Sequence, residues 1–424
     1  MKRILNKCAL YTVSGLFFCF LIVSLHACIS SEVEDKTPKR TILFYIGSDN
    51  NKLDNGAKGD EPRQKIDAIR RGWQPGKGEM LIYTDQTNRD ACLMRITDMK
   101  DVNGYYRLDT LEIYMDDNSA DAEVLKRVVN KVARDYPADS YGMIFFSHAS
   151  GMLPDGMLNN PYSADAGTSV EEPVKPVKSE MDVDPRSLVI DKGSGSAYEM
   201  EYDDFASALS DIHFDFIIFE ACFMADACVM YELRDKTDYA LVSSAEIIAP
   251  GFKDIYTANI MGLYHTSQPV EMMLTGFANA YCNIDKDYNY FTMSIVKMSE
   301  MNALAAVTKT ALNGKNIHEE NLSMGDMQTF DRPNAHILNN PKRSRFFDLG
   351  YTIESLISES DRATFNSQMN KTVIWKEATG SFIPDQSGFY ITHHSGLTTY
   401  IEQAVYPTLN SAFEKSKWYR AILP

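Results

Sequence analysis

Two short stretches carry residues able to do nucleophilic chemistry. In Ile144-Phe145-Phe146-Ser147-His148-Ala149-Ser150-Gly151, an apolar run delivers a histidine, and the small residues after it leave room for a ligand to approach the backbone. In Phe216-Ile217-Ile218-Phe219-Glu220-Ala221-Cys222, a second apolar run delivers a cysteine, and the chain continues through Cys228, Val229 and Tyr231-Glu232-Leu233 as a helix. Open α/β sheets place their sites just past the ends of strands. A His and a Cys so placed are the minimum set for thiol-based acyl transfer. Cys222 would attack a carbonyl carbon, and His148 would protonate the departing amine and then activate water. The backbone N–H groups of Ala149 and Cys222 would hold the oxyanion. Because Cys222 stands where strand gives way to helix, the positive end of the helix dipole should favour its thiolate. The plainer alternatives are a structural histidine and a cysteine packed against the sheet. Cys228, further into the helix, fits that packing role better than Cys222 does.

The elements that must position this pair are legible from hydrophobic patterning. Buried strands are expected at Thr41–Gly47, Met80–Tyr83, Gly142–Phe146, Phe214–Phe219 and Tyr239–Val242, with helical patterns between them at Ala120–Asp135 and Tyr202–Asp211. Strands alternating with helices make a mainly parallel sheet covered on both faces, so the fold class is α/β. Residues 152–187 interrupt the rhythm with Pro154, Pro161, Pro173, Pro176 and Pro185. They read as a long exposed or mobile insertion, which also carries Lys175, Lys178 and Arg186. After Gly251 the chain turns mostly helical, around 272–282, 298–312 and 346–357, with a strand-like Phe291–Ile295 between the first two.

Composition narrows the function classes. A formal charge of -16 and a pI near 5.0 exclude the basic surface that phosphate binding needs, so nucleic acid is not an expected partner. The first residues combine a basic start, an apolar run from Leu16 to Val23 and Leu25-His26-Ala27-Cys28. That is a lipoprotein signal rather than a spanning helix, which needs about 20 apolar residues. Cleavage before Cys28 would leave a lipid-anchored chain: leader 1–27, acidic tether 28–39, and one catalytic domain 40–424. The acidic Ser30–Asp35 resembles the export tags of surface lipoproteins in Gram-negative Bacteroidetes-type bacteria, which places the chain in the cell envelope, at the outer membrane or cell surface. Four of the seven cysteines then remain, Cys92, Cys222, Cys228 and Cys282, too few and too irregular for a disulfide framework.

Phe219-Glu220-Ala221-Cys222-Phe223-Met224 with Tyr231-Glu232-Leu233 resembles the nucleophile signature of the clostripain-like cysteine peptidases. Ser147-His148-Ala149-Ser150-Gly151 is similar to their histidine motif. Asp90-Ala91-Cys92-Leu93-Met94 matches the first signature more literally, but it precedes the histidine and follows no buried strand directly. It is read as coincidence. The resemblance extends over nearly all of the mature chain. It implies a caspase-like α/β/α sandwich with a helical C-terminal extension, a His148/Cys222 dyad, and cleavage of protein or peptide substrates after Arg or Lys. Carried onto this sequence, the family's substrate-binding acid falls on Glu220, with Glu246 as a second acid, since a carboxylate pairs well with guanidinium or ammonium.

The resemblance also implies self-activation by a cut between the dyad residues, for which Lys175, Lys178 and Arg186 are the candidates. Two departures bear on activity. Ala149 stands where the family has Gly, which would be strained if that backbone needs positive φ, and Glu220 is one methylene longer than the usual Asp. These departures, with Met152 where relatives have Trp, sustain a second reading: a catalytically inactive surface lipoprotein that binds peptides or a protein partner. No cofactor is required. Calcium is linked to some relatives, and Asp49, Asp54, Asp116 and Asp117 offer oxygens, but there is no EF-hand-like loop and no metal is assigned.

Overall fold

The structure, a computed structural model, describes residues 39–48, 60–86, 89–115, 117–154, 190–191, 198–209, 212–284, 290–331, 344–384 and 388–423. Nine strands form one sheet: β1 (Arg40–Gly47), β2 (Gly78–Gln86), β3 (Arg89–Lys100), β4 (Tyr106–Tyr114), β5 (Ser140–Phe146), β6 (Phe214–Glu220), β7 (Thr237–Val242), β8 (Thr292–Lys297) and β9 (Val373–Ala378). Their order is β9-β8-β7-β6-β5-β1-β2-β3-β4. The five central strands run parallel from β7 to β2, and the two outer strands on each side are joined to them antiparallel.

Alternation along the central strands assigns their side chains to two separate cores. On β5, Met143 and Phe145 enter one core while Ile144 and Phe146 enter the other, and on β6 Ile217 and Phe219 oppose Phe216 and Ile218 in the same way. The first core is covered chiefly by α2 (Ala122–Asp135), α3 (Tyr202–Ala208), α4 (Ala227–Leu233) and α7 (Met301–Leu312). The second is covered by α1 (Glu61–Gly72), α5 (Lys253–Asn259) and α6 (Val270–Cys282). The result is the expected α/β/α sandwich.

Helix α2 shows why these segments fold as they do. Asp121 caps its first turn by accepting from the Glu123 N–H at 2.8 Å, and Val124, Leu125, Val128, Val129 and Val132 make one buried stripe. Each such side chain contributes roughly 1.5–3 kcal/mol on burial.

The C-terminal half differs from a helical extension added to a finished domain. It supplies β8 and β9, and its last helix, α11 (Lys417–Ile422), packs on α7 and α4 with Trp418 fully buried. The predicted start of the insertion also shifts. Met152 and Leu153 belong to the core, 2% and 1% exposed, because the chain is still folded against the first core there. The leader, Cys28 and the tether up to residue 38, the candidate cut sites Lys175, Lys178 and Arg186, and Asp49, Asp54 and Asp116 lie outside the described residues.

Candidate active site

Strands β5 and β6 are adjacent and parallel, with Phe146 opposite Glu220 as the last paired position. His148 and Cys222 each lie two residues beyond that pair. Neighbouring strands are about 4.8 Å apart, so the two chains leave the sheet side by side at its C-terminal edge, one leading to the histidine and the other to the cysteine. Both residues are buried in the described structure, 5% and 4% exposed.

The two loops are fastened to each other and to the sheet. Ser147 Oγ donates to the Gly47 carbonyl at 2.7 Å. Gly151 turns with φ 58°, and a Cβ there would sit 2.7 Å from a Phe346 ring carbon and 2.9 Å from the Phe223 carbonyl oxygen. Only glycine fits both that conformation and that approach. Phe223, the residue after the cysteine, is itself left-handed at φ 59°, and its ring stacks on Phe346 with centroids 4.4 Å apart. Its N–H donates to the Ala245 carbonyl at 3.1 Å, and the Ala225 N–H donates to the Ser243 carbonyl at 3.0 Å. A third loop, following β7, therefore lies against the cysteine loop. It is pinned in turn by Thr292, whose Oγ1 accepts from the Ala245 N–H at 2.9 Å.

That third loop meets the thiol. The Ile247 N–H donates to Cys222 Sγ at 3.4 Å. This replaces the helix dipole expected from the sequence, for α4 begins only at Ala227, after a turn, and is a short helix capped by Asp226. A backbone N–H aimed at sulfur stabilises thiolate over thiol.

Ala149 is fully buried and is not among the left-handed residues; the described non-glycine residues with positive φ are Phe223, Asn313 and Ile383. The strain anticipated at Ala149 is therefore absent, and alanine is compatible with that backbone.

Glu220 departs from expectation. Its side chain points into the second core and is 1% exposed. Oε1 accepts from Lys65 Nζ of α1 at 2.5 Å and from the Phe252 N–H at 2.5 Å, and Oε2 accepts from the Tyr256 hydroxyl at 2.5 Å. Its charge is neutralised within the protein, so it is not presented to a ligand. Glu246 lies elsewhere, on the third loop beside Ile247, and is 7% exposed.

The other thiols have different settings. Cys228 packs 3.9 Å from Met152 Sδ and 3.5 Å from Ser416 Oγ, and burial with nearby Asp226 pushes its thiol well above the ordinary range. Cys92 lies within β3, paired between β2 and β4, and burial with Asp85 and Asp90 raises its thiol too. Both therefore resist forming thiolate. No disulfide joins Cys92, Cys222, Cys228 and Cys282.

Three other described histidines have partners of their own. His213 faces Asp238 at 2.9 Å, His393 stacks on Tyr351, and His394 lies edge-on to Phe330. Burial, with Lys376 nearby, lowers the His394 pKa to about 3 and keeps it neutral. Asp117 pairs with Arg127, and among the described residues no group of three acidic, His or Cys side chains could hold a metal ion.

Sequence reasoning missed Ile247 and Lys65. A backbone donor leaves no signal in side-chain identity. Lys65 did leave one: it occupies the buried face of α1 with Pro62, Ile66 and Ile69, and a lysine on an apolar stripe calls for a buried partner.

The clostripain family model matches residues 49–164 and 176–420. An inactive zymogen C11 protease from Parabacteroides distasonis superposes with a TM-score of 0.72 at 28% identity, covering 92% of this chain and 99% of its own. A secreted C11 cysteine protease from Bacteroides thetaiotaomicron, solved with an irreversible peptide inhibitor, gives 0.69 at 25% identity, with 91% and 99% covered. No curated protein matches this chain.

Proposed function

Because this chain belongs to the clostripain family and is a cysteine endopeptidase, we propose that it hydrolyses protein substrates after Arg or Lys with His148 and Cys222 as its working pair. The observation that carries the pair is the register of β5 on β6, which brings both residues out two positions beyond Phe146 and Glu220. The thiolate of Cys222 attacks the scissile carbonyl, and the N–H groups of Ala149 and Cys222 receive the oxyanion. His148 gives its proton to the departing amine, then takes one from the water that releases the acyl group.

Specificity for a basic side chain is assigned in this reading to Glu246, which neighbours Ile247, whose N–H meets the Cys222 sulfur. Reporter peptides ending in Arg, Lys or a neutral residue test it with the full chain. Glu246→Gln should lower kcat/KM for the basic reporters by roughly tenfold or more while leaving the neutral one within about twofold. An unchanged ratio would remove Glu246 from the substrate site.

We also propose that the protein is anchored by lipid at Cys28 and matures by a cut after Lys175, Lys178 or Arg186. None of the described helices is long and apolar enough to cross a membrane. The basic residues stand between His148 and Cys222 in the chain, where a cut would separate the two loops of the site without removing either. Peptide mapping by mass, on protein isolated from producing cells, should find an acylated N-terminus at Cys28 and a new end after one of the three residues. An intact chain with full activity would overturn the maturation step, and an unmodified Cys28 would overturn the anchor.

A further inference from the structure

We propose that Lys65 and Glu220 are positioning residues, a buried ion pair that holds the loop after β7 so that its Ile247 N–H meets the Cys222 thiolate. The inference rests on the reading of Cys222 as nucleophile.

Lys65 Nζ has three partners: Glu220 Oε1 at 2.5 Å, the Pro250 carbonyl at 2.7 Å, and the face of the Phe146 ring, 4.3 Å from its centroid. Glu220 holds the end of the same loop through the Phe252 N–H, and through the Tyr256 hydroxyl it also holds the helix α5 that follows. Gly251 lies between them at φ 60°, and a Cβ on it would come within 2.1 Å of Glu220 Oε1 and 3.1 Å of Lys65 Nζ. The ion pair thus grips Pro250, Gly251 and Phe252 together. Three residues upstream of Pro250, the same loop places Ile247 on the sulfur. Glu220 and Phe146 are also the last paired residues of β6 and β5, so the clamp is built on the strand ends that carry Cys222 and His148.

A competing account makes Lys65 an internal plug, occupying a pocket meant for a substrate's basic side chain. The setting argues against it. Lys65 sits mid-helix, and α1 is buried through Pro62, Ile66, Ala68 and Ile69 against the sheet and α5. To vacate the carboxylate, the helix would have to leave the core. Both Lys65 and Glu220 side chains are 1% exposed, and removing one charge of such a pair strands the other in a medium that solvates it poorly.

Site-resolved alkylation by iodoacetamide, followed against pH in the full chain, reads the thiolate directly. With Lys65→Met or Glu220→Gln, the Cys222 profile should move to higher pH by about one unit or more, because a hydrogen bond to charged sulfur is lost or lengthened. kcat should fall roughly tenfold or more, with KM for Arg and Lys reporters within about threefold. The double variant Lys65→Met/Glu220→Gln removes both charges, so it remains testable where either single variant fails to fold. It should show the same displaced profile. An unmoved profile in the folded variants would overturn the proposal. So would a lowered KM for basic reporters in Lys65→Met, the mark of a plug, or a KM raised selectively for them in Glu220→Gln, the mark of a substrate acid. Cys222→Ala separates the premise from the inference: undiminished hydrolysis by that variant would dismiss the nucleophile, whereas the profile of Cys222 in the other variants tests the clamp.

Discussion

Cys222→Ala is expected to lower hydrolysis of the preferred reporter peptide by about a thousandfold or more, and His148→Ala by a similar factor. The two losses should not add. Nucleophile and base act on one bond-forming event, so the double variant should be no slower than Cys222→Ala by more than a few-fold. Both side chains are buried at the edge of the first core and next to it, and the cysteine substitution removes one sulfur from a site that is 4% exposed. A melting temperature close to the parent's would therefore accompany the lost activity for Cys222→Ala, which separates chemistry from folding. Steady-state kinetics on the three variants, beside Cys228→Ala as a control, is the measurement. Cys228 faces Met152 and Ser416 rather than the third loop, so its variant should keep the parent's rate within about threefold. Equal rates in parent and Cys222→Ala would remove Cys222 from the reaction.

The central sheet and the two loops of the pair could be read from the sequence because burial on both faces leaves uninterrupted apolar runs. Each run leads directly into one residue of the candidate pair, and this setting favoured Cys222 over Cys92, whose neighbours match the family signature more literally but which precedes the histidine and follows no buried strand directly. Cys92 lies instead in an antiparallel strand. The outer strands were less visible. β4 is half polar and mostly exposed, and β9 begins at Val373 directly after a helix, α9 (Glu359–Thr372), with no turn residues between them. Neither gives the hydrophobic contrast on which pattern reading depends.

At the candidate site, side-chain identity marked the residues proposed to react but not their partners. The thiol contact comes from a backbone N–H on a third loop, and a backbone donor has no residue type to recognise. Glu220 shows the converse limit. Its place two residues before the cysteine marked it as an acid of the site, but alternation along β6 directs it into the second core, where a lysine from α1 meets it. Parity could have indicated that face; the partner's identity depends on long-range packing of α1 against the sheet.

A second large effect is expected from Asp226→Asn, and its sign depends on pH. Asp226 is completely buried; its Oδ1 accepts from the Cys228 N–H at 2.8 Å, while Oδ2 has no hydrogen-bond partner among the described residues. Burial raises its pKa from 3.8 to about 7, against the opposing pull of hydrogen bonds from Cys228 and Val229. Below pH 4 the carboxyl is protonated in both folded and unfolded chains, and its contribution to stability is fully present. Between pH 4 and 7 the unfolded chain releases this proton while the folded chain retains it, so that contribution declines as pH rises and is lost above 7. The decline is on the order of 4 kcal/mol. Asparagine keeps the oxygen that caps α4 and cannot ionise, so the variant lacks this pH dependence. Thermal melts should show the stability of Asp226→Asn, relative to the parent, rising steadily from pH 4 to pH 7, with the variant the more stable protein at pH 8. Asp226→Ala would lose the cap as well and gain less at high pH. A constant difference between parent and Asp226→Asn across that range would mean that the folded carboxyl titrates at its ordinary pKa.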